Sequence, residues 1–300
     1  MLENAGRPAG ERDAAPFPTI AIVGLGLIGG SLALAARRAW TGLRVVGVDR
    51  GAALDAARLL PAFDALGDDL RVLDGADLVV LAAPVRQNIA LLPDVHRQVG
   101  SSAIVTDVGS TKRAVVDAAR ACEGLTFVGG HPLAGAARGG LALARADLFA
   151  ERPWILTPDG HTDERVVARL ESFVRGVDAR VHVLTPDAHD RLLAYLSHLP
   201  QLAASALMQT VGRAAGDAIA LAGPGLADTT RLAASPATIW QDICATNADD
   251  IRPALDALIA TLQDVRDRLE DPAALAQLFE AAQTWRSRLP ARSGGRLGDR

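Results

Sequence analysis

The chain is predicted to be α/β, with a doubly wound parallel sheet over roughly its first 184 residues and an all-helical part after it. Three observations predict this. Short β-rich runs alternate with Ala/Leu/Arg stretches in the first part, apolar residues recur at helical spacing from Pro186 onward, and the first β-rich run leads through Gly24-Leu25-Gly26-Leu27-Ile28-Gly29-Gly30 into an apolar helix.

The polar leader, residues 1–17, has no apolar segment of the kind a secretory signal carries, and it is expected to be disordered. The sheet domain is placed at 18–184. Its strands are read from TIAIVG, RVVGVD, DLVVLAAP, AIVTDVG and LTFVGG, the βαβ rhythm of a parallel sheet, and then from WILTP and ARVHVLT on either side of a helix near 163–175. A helical domain is placed at 185–289, with breaks at Gly223-Pro224-Gly225, Ser235-Pro236 and Asp271-Pro272. Its segment LPQLAASALMQTVG is apolar over more than one stripe, so it needs burial on several sides, and a homodimer is expected to supply that. The tail, 290–300, carries Pro, Gly and charge without periodicity and is expected to be flexible.

The glycine-rich turn has the Rossmann-type order for holding a dinucleotide. One glycine permits a tight turn, a second lets backbone approach the pyrophosphate and a third lets helix pack on strand, with the helix N-terminus supplying donors. Gly24, Gly26, Leu27, Ile28 and Gly29 are therefore candidate cofactor residues. Asp49 ends the second β-rich run, 25 residues after Gly24. It is either a ligand of the adenosine ribose hydroxyls or a simple turn residue. As a ligand its charge repels the extra phosphate of NADP, so NAD is the expected cofactor, although the adjacent Arg50 softens that discrimination.

Composition excludes other classes. With a formal net charge of −4 and no basic stripe interleaved with aromatics, a nucleic-acid partner is not expected. No segment approaches the roughly 18 uninterrupted apolar residues of a membrane span, so a cytoplasmic location is expected. Cys122 and Cys244 fit no metal or redox spacing, and no metal site is expected. Lysine occurs once, at Lys112, among 31 basic side chains. That position either reaches an anion or helix terminus, or is a chance survivor.

Ligands of a doubly wound sheet bind beyond the carboxyl ends of its strands. Ala83 and Pro84 lie at one such end, Asp107, Gly109 and Ser110 at the next, and Gly129, Gly130 and His131 at a third. An imidazole at His131 can take a proton near neutral pH, and Ser110 can hydrogen-bond it or a substrate hydroxyl. The plainer readings are a hydrogen-bonded loop histidine and a helix cap. His198 is either a satisfied core histidine or a ligand-facing one. Arg231 has a fork suited to a carboxylate, or else pairs with Asp228 or Asp242.

Taken together, GLGLIGGS, DVGSTK, HPLAG, the run from Leu148 to Pro158, HDRLLAYLSHLP and DTTRLAASPATIW resemble the prephenate dehydrogenase family over about residues 19–285. That family includes arogenate and mixed cyclohexadienyl enzymes. The resemblance implies an NAD-dependent oxidative decarboxylation of prephenate in tyrosine synthesis. It implies that His131 is the base on the ring hydroxyl, that Ser110 orients it, and that His198 and Arg231 contact substrate from the helical domain. An arogenate-preferring or dual-specificity enzyme is the nearest alternative, and a non-catalytic nucleotide-binding module a further one. A β-hydroxyacid dehydrogenase is disfavoured because no lysine occurs at 186–300. After HPLAG many members have Ser or Thr followed by Glu, whereas this chain has Ala136-Ala137-Arg138. The cation at Arg138 is expected to favour prephenate over the ammonium-bearing arogenate.

Overall fold

The computed structural model describes residues 14–135 and 139–289, so the expectations for Arg138, residues 1–13 and the tail lie outside the described residues. Within the leader, Phe17 is fully buried, its ring edge-on to Phe173 at 6.0 Å with the Arg169 guanidinium 4.4 Å above it. Residues up to Ile251 form one compact unit and those from Arg252 a second.

The first unit opens with β1 (Thr19–Val23), α1 (Leu27–Ala39), β2 (Arg44–Val48), α2 (Gly51–Ala57), β3 (Ala65–Gly67), β4 (Leu78–Leu81) and α3 (Val85–Gln98). There follow β5 (Ile104–Asp107), α4 (Arg113–Arg120), β6 (Thr126–Pro132), β7 (Pro153–Thr157), α5 (Glu164–Gly176) and β8 (Arg180–Val183). The sheet has eight strands in the order β3-β2-β1-β4-β5-β6-β7-β8. The order reverses between β1 and β4, and that switch point opens a crevice at the strand ends. Central strands such as β1 and β4 are apolar on both faces because both are covered. Ile20, Ile22 and Leu32 pack on one side with Trp40 and Phe173, while Ala21, Val23, Val79 and Leu81 pack on the other.

Two features differ from the expected parallel sheet. The short edge strand β3 is too brief and too mixed in sequence to announce itself. The β6–β7 pair is antiparallel, with His131 opposite Ile155, although β8 rejoins in parallel. A parallel pair needs a crossover helix, which α5 provides between β7 and β8. Between β6 and β7 the described residues contain only a 3₁₀ turn, Leu141–Leu143. In consequence β6 runs past the expected strand end, and His131 lies on a strand instead of in a loop.

Helices α6 (Pro186–Leu193), α7 (Leu199–Ala215), α8 (Pro224–Thr230) and α9 (Ala237–Thr246) complete the first unit, with the start of α10 (Ala248–Asp267). A π turn, Ala194–His198, joins α6 to α7 at the proline that the sequence marks as an interruption. The second unit holds the remainder of α10 and α11 (Pro272–Ser287). No helix among the described residues is long and apolar enough to cross a membrane.

Candidate active site

The turn between β1 and α1 is shaped for a ligand. Gly24 has φ +100°, a left-handed conformation, and an added Cβ would lie 2.7 Å from the Ala82 carbonyl carbon. At Gly29 a Cβ would stand 2.0 Å from the Gly24 oxygen, so only glycine lets α1 pack against the turn. A Cβ on Gly26, by contrast, would meet nothing within 4 Å. Gly26 is also the N-cap of α1 and offers no side-chain cap, leaving the first helical N–H groups for an anion. Asp49 braces this turn: its Oδ2 accepts from the Leu25 backbone N–H at 2.7 Å and its Oδ1 from that of Arg50 at 2.7 Å.

A cavity of about 410 Å³ lies over this turn, lined by Gly24, Gly26, Asp49, Arg50, Ala83 and Pro84. Three more carboxylates, Asp68, Asp69 and Asp94, line it, and Arg50 Nε donates to the Asp68 carbonyl at 3.3 Å. A second cavity of about 630 Å³ shares Gly26, Ala83 and Pro84 with the first and adds Leu27, Ile28, Gly109, Ser110, His131 and Trp240. Both lie within the first unit. The cofactor turn thus borders both cavities, with the serine and the histidine on the second, while the expected residue Gly29 serves packing beneath the turn.

Below His131 lies a buried frame. Lys112, fully buried, pairs with the Asp107 carboxylate and donates to the Gly130 carbonyl at 2.8 Å. Asp107 also accepts from the Gly109 N–H at 2.8 Å and the Gly130 N–H at 3.0 Å, which ties the ends of β5 and β6 together. Burial pulls the Lys112 ammonium below its usual pKa, an effect that Asp107 opposes. The single lysine stands at the N-cap of α4, but its ammonium turns inward to the Asp107 carboxylate, so it is a structural cation that lines neither cavity.

His131 Nδ1 lies 2.8 Å from His189 Nε2, and His189 Nδ1 lies 2.8 Å from Asp190 Oδ1. Asp190 also caps α4, accepting from the Lys112 N–H at 2.8 Å and the Arg113 N–H at 2.9 Å. Ser110 is thus not the cap of that helix. Burial holds His131 well below its ordinary 6.5, reinforced by His189, Lys112 and His198. Burial likewise lowers His189, against the opposing pull of Asp190. Burial alone would raise Asp190, but hydrogen bonds from His189 and the Arg113 and Lys112 amides outweigh it and keep its carboxyl below the usual range. At neutral pH the two imidazoles are neutral and the carboxylate is ionised.

His198 and Arg231 do not line either cavity. His198 is fully buried, its Nδ1 3.2 Å from Asn247 Nδ2 and its ring edge-on to Trp240 at 6.1 Å, and burial pushes its pKa down to about 4. Its partner is a side-chain amide, as a core histidine requires. Arg231 is exposed, in a 3₁₀ turn four residues before Ser235, which lines the larger cavity. Among the described residues it pairs with neither Asp228 nor Asp242. His189 and Asp190 were not singled out from sequence, although they open the HDRLLAYLSHLP run that carries the family resemblance.

Fold and cavities together define a nucleotide-binding oxidoreductase of the doubly wound class. Residues 32–183 match the family model described as prephenate dehydrogenase, nucleotide-binding domain, and residues 185–283 match prephenate dehydrogenase, dimerization domain. A prephenate dehydrogenase of Bacillus subtilis is 34% identical over 289 residues, covering 93% of this chain and 78% of that protein. Among solved structures, Synechocystis arogenate dehydrogenase superposes with a TM-score of 0.79 at 31% identity, covering 90% of this chain and 99% of the other. Prephenate dehydrogenase from A. aeolicus, in complex with hydroxyphenyl propionate and NAD+, gives 0.82 at 26% identity, covering 91% and 98%. This chain belongs to the prephenate dehydrogenase family.

Proposed function

We propose that the protein is an NAD-dependent prephenate dehydrogenase, converting prephenate to 4-hydroxyphenylpyruvate and CO2 in tyrosine biosynthesis. The observation that carries the reading is His131, neutral, with Nδ1 already engaged and Nε2 left for a ligand in the cavity that begins at the glycine turn. The residues fit a dinucleotide: open space over Gly26, uncapped N–H groups on α1, and a carboxylate at Asp49. Gly24, Gly26, Leu27 and Ile28 would line the pyrophosphate and nicotinamide side, with Ala83, Pro84 and Gly109 beside it and Asp49 and Arg50 at the adenosine ribose. Four carboxylates around that end oppose the 2′-phosphate of NADP.

When bound, NAD supplies the acceptor for the hydride that leaves C4 of the ring. His131 Nε2 takes the proton of the 4-hydroxyl as the carbonyl forms, and Ser110 orients that hydroxyl. Loss of the ring carboxylate as CO2 returns its electron pair to the ring, which becomes aromatic. The oxygen is then a phenolate and recovers the proton from His131. Such general-base catalysis contributes about 10²–10⁴-fold, and orientation in the cavity adds to it. Arg231 would meet a substrate carboxylate from its place just before the Ser235-Pro236 lining, and His198, expected to contact substrate but buried edge-on to Trp240, would instead hold that ring at the cavity wall.

We assign residues 18–184 to cofactor binding and 185–289 to substrate binding and dimerisation, in a cytoplasmic homodimer. In support of a dimer, α7 leaves Leu207 39% exposed, and α11 leaves Phe279 and Trp285 63% and 66% exposed. The alternative is arogenate or dual specificity, favoured by the Synechocystis relative. Incubation with NAD and either prephenate or arogenate, with identification of 4-hydroxyphenylpyruvate or tyrosine, decides between them. Faster turnover of prephenate supports the proposal, and turnover of arogenate alone replaces it.

A further inference from the structure

We infer that His189 is a positioning residue for His131, fixing the proton of that ring on Nδ1, and that Asp190 anchors it. The inference rests on the proposed role of His131 as base. Its warrant is the direction in which the hydrogen bonds must run. Asp190 is ionised and therefore only accepts, so the proton of neutral His189 sits on Nδ1, facing Asp190 Oδ1 at 2.8 Å. His189 Nε2 is then an acceptor, and the His131 nitrogen 2.8 Å away must donate to it. His131 consequently carries its proton on Nδ1 and presents an unprotonated Nε2, the only arrangement in which it can accept one from a substrate.

Asp190 is itself immobilised. It is buried, both its oxygens accept backbone N–H groups at the start of α4, and its carbonyl accepts from Asn247 Nδ2 at 2.9 Å. The polarity of the chain thus begins at a helix cap and ends at the cavity. The other charged or titratable groups bearing on the pair are Lys112, Asp107 and His198. Lys112 is paired with Asp107 and His198 is neutral, so neither reverses the chain's direction. When His131 takes the proton it becomes a cation, and its Nδ1–H bond to His189 strengthens.

The ring-nitrogen NMR spectrum of the full-length protein, with ¹⁵N-labelled histidine, tests this without substrate. Six histidines make assignment tractable. Both His131 and His189 are expected in the Nδ1–H form, and a His131 signal in the Nε2–H form overturns the inference. In His189→Leu the His131 signal is expected to become a mixture of forms. In that variant kcat for prephenate is expected to fall about 10²-fold, the low end of general-base catalysis. The NAD dissociation constant should stay within about two-fold, since His189 lies outside the cofactor cavity. His189→Gln, which retains an acceptor toward His131, is expected to recover part of the loss. Unchanged kcat in His189→Leu, or equal loss in Leu and Gln with NAD binding intact, overturns the inference. A wild-type protein inert on prephenate refutes the proposed function instead, while the NMR result still judges the tautomer.

Discussion

At the residue scale, the lowered pKa of His131 sets the pH dependence of the reaction. A base that stays unprotonated below its ordinary 6.5 keeps kcat/KM level as pH falls from neutrality, so the acid limb is expected to break below that value. A break at or above it contradicts the environment described for this ring. His198 makes a separate prediction about stability. Its folded pKa, about 4, lies below its unfolded 6.5, so between those values the unfolded chain binds more protons and stability drops as pH falls. Across that window the single group accounts for about 3 kcal/mol. Asp190 acts in the same direction but only at more acid pH, through its own lowered folded value. Chemical denaturation of wild type and His198→Gln at neutral and acid pH measures this, with a shallower pH slope expected in the variant. That His131, Ser110, Gly24 and Gly26 border the open space was legible in sequence, because each stands at a strand end beside small residues; their roles there are those proposed above. His189 and Asp190 were not legible, because their partners are 58 and 78 residues away in the chain and nothing local announces such a contact.

At the element scale, the tie between β5 and β6 determines where His131 sits. Replacing Lys112 by Met leaves Asp107 buried without its ion pair and is expected to cost about 3–5 kcal/mol of stability, read as a lower denaturation midpoint. Gly130→Ala probes the same tie, because its Cβ would lie 2.5 Å from the Asp107 carbonyl oxygen and push β6 away from β5. NAD binding is expected to survive that change while prephenate turnover is lost. Equal loss of both would place the damage in the whole sheet. The parallel strands were legible from their continuous apolar runs, and the helical part from its period. The antiparallel β6–β7 pair was not, since strand direction depends on the connection, and the segment after His131 carries no pattern that distinguishes a crossover helix from a return loop. For the same reason β6 was read as ending before the histidine that it carries.

At the scale of the whole molecule, the large apolar side chains left exposed on the helices fit the proposed homodimer, as does the match of residues 185–283 to a dimerization-domain model. Sedimentation is expected to show a dimer, and Phe279→Glu is expected to shift it toward monomer by placing a charge within an apolar face. Retention of the dimer in that variant moves the interface elsewhere on the helices. The onset of the helical part at Pro186 was legible from the change of period, whereas Arg231 shows the limit of such reading: its residue type suggested a carboxylate ligand, but in a single chain it is exposed and outside both cavities. The central claim is that one imidazole, held in one tautomer beside a dinucleotide site, removes the proton that starts the reaction. The most direct test is the initial rate of nicotinamide reduction by wild type and His131→Ala at saturating NAD and prephenate, with NAD affinity measured on both. The expected result is prephenate-dependent turnover in wild type, a fall of about 10²–10⁴-fold in kcat for the variant and unchanged NAD binding. Full activity in His131→Ala would contradict the account.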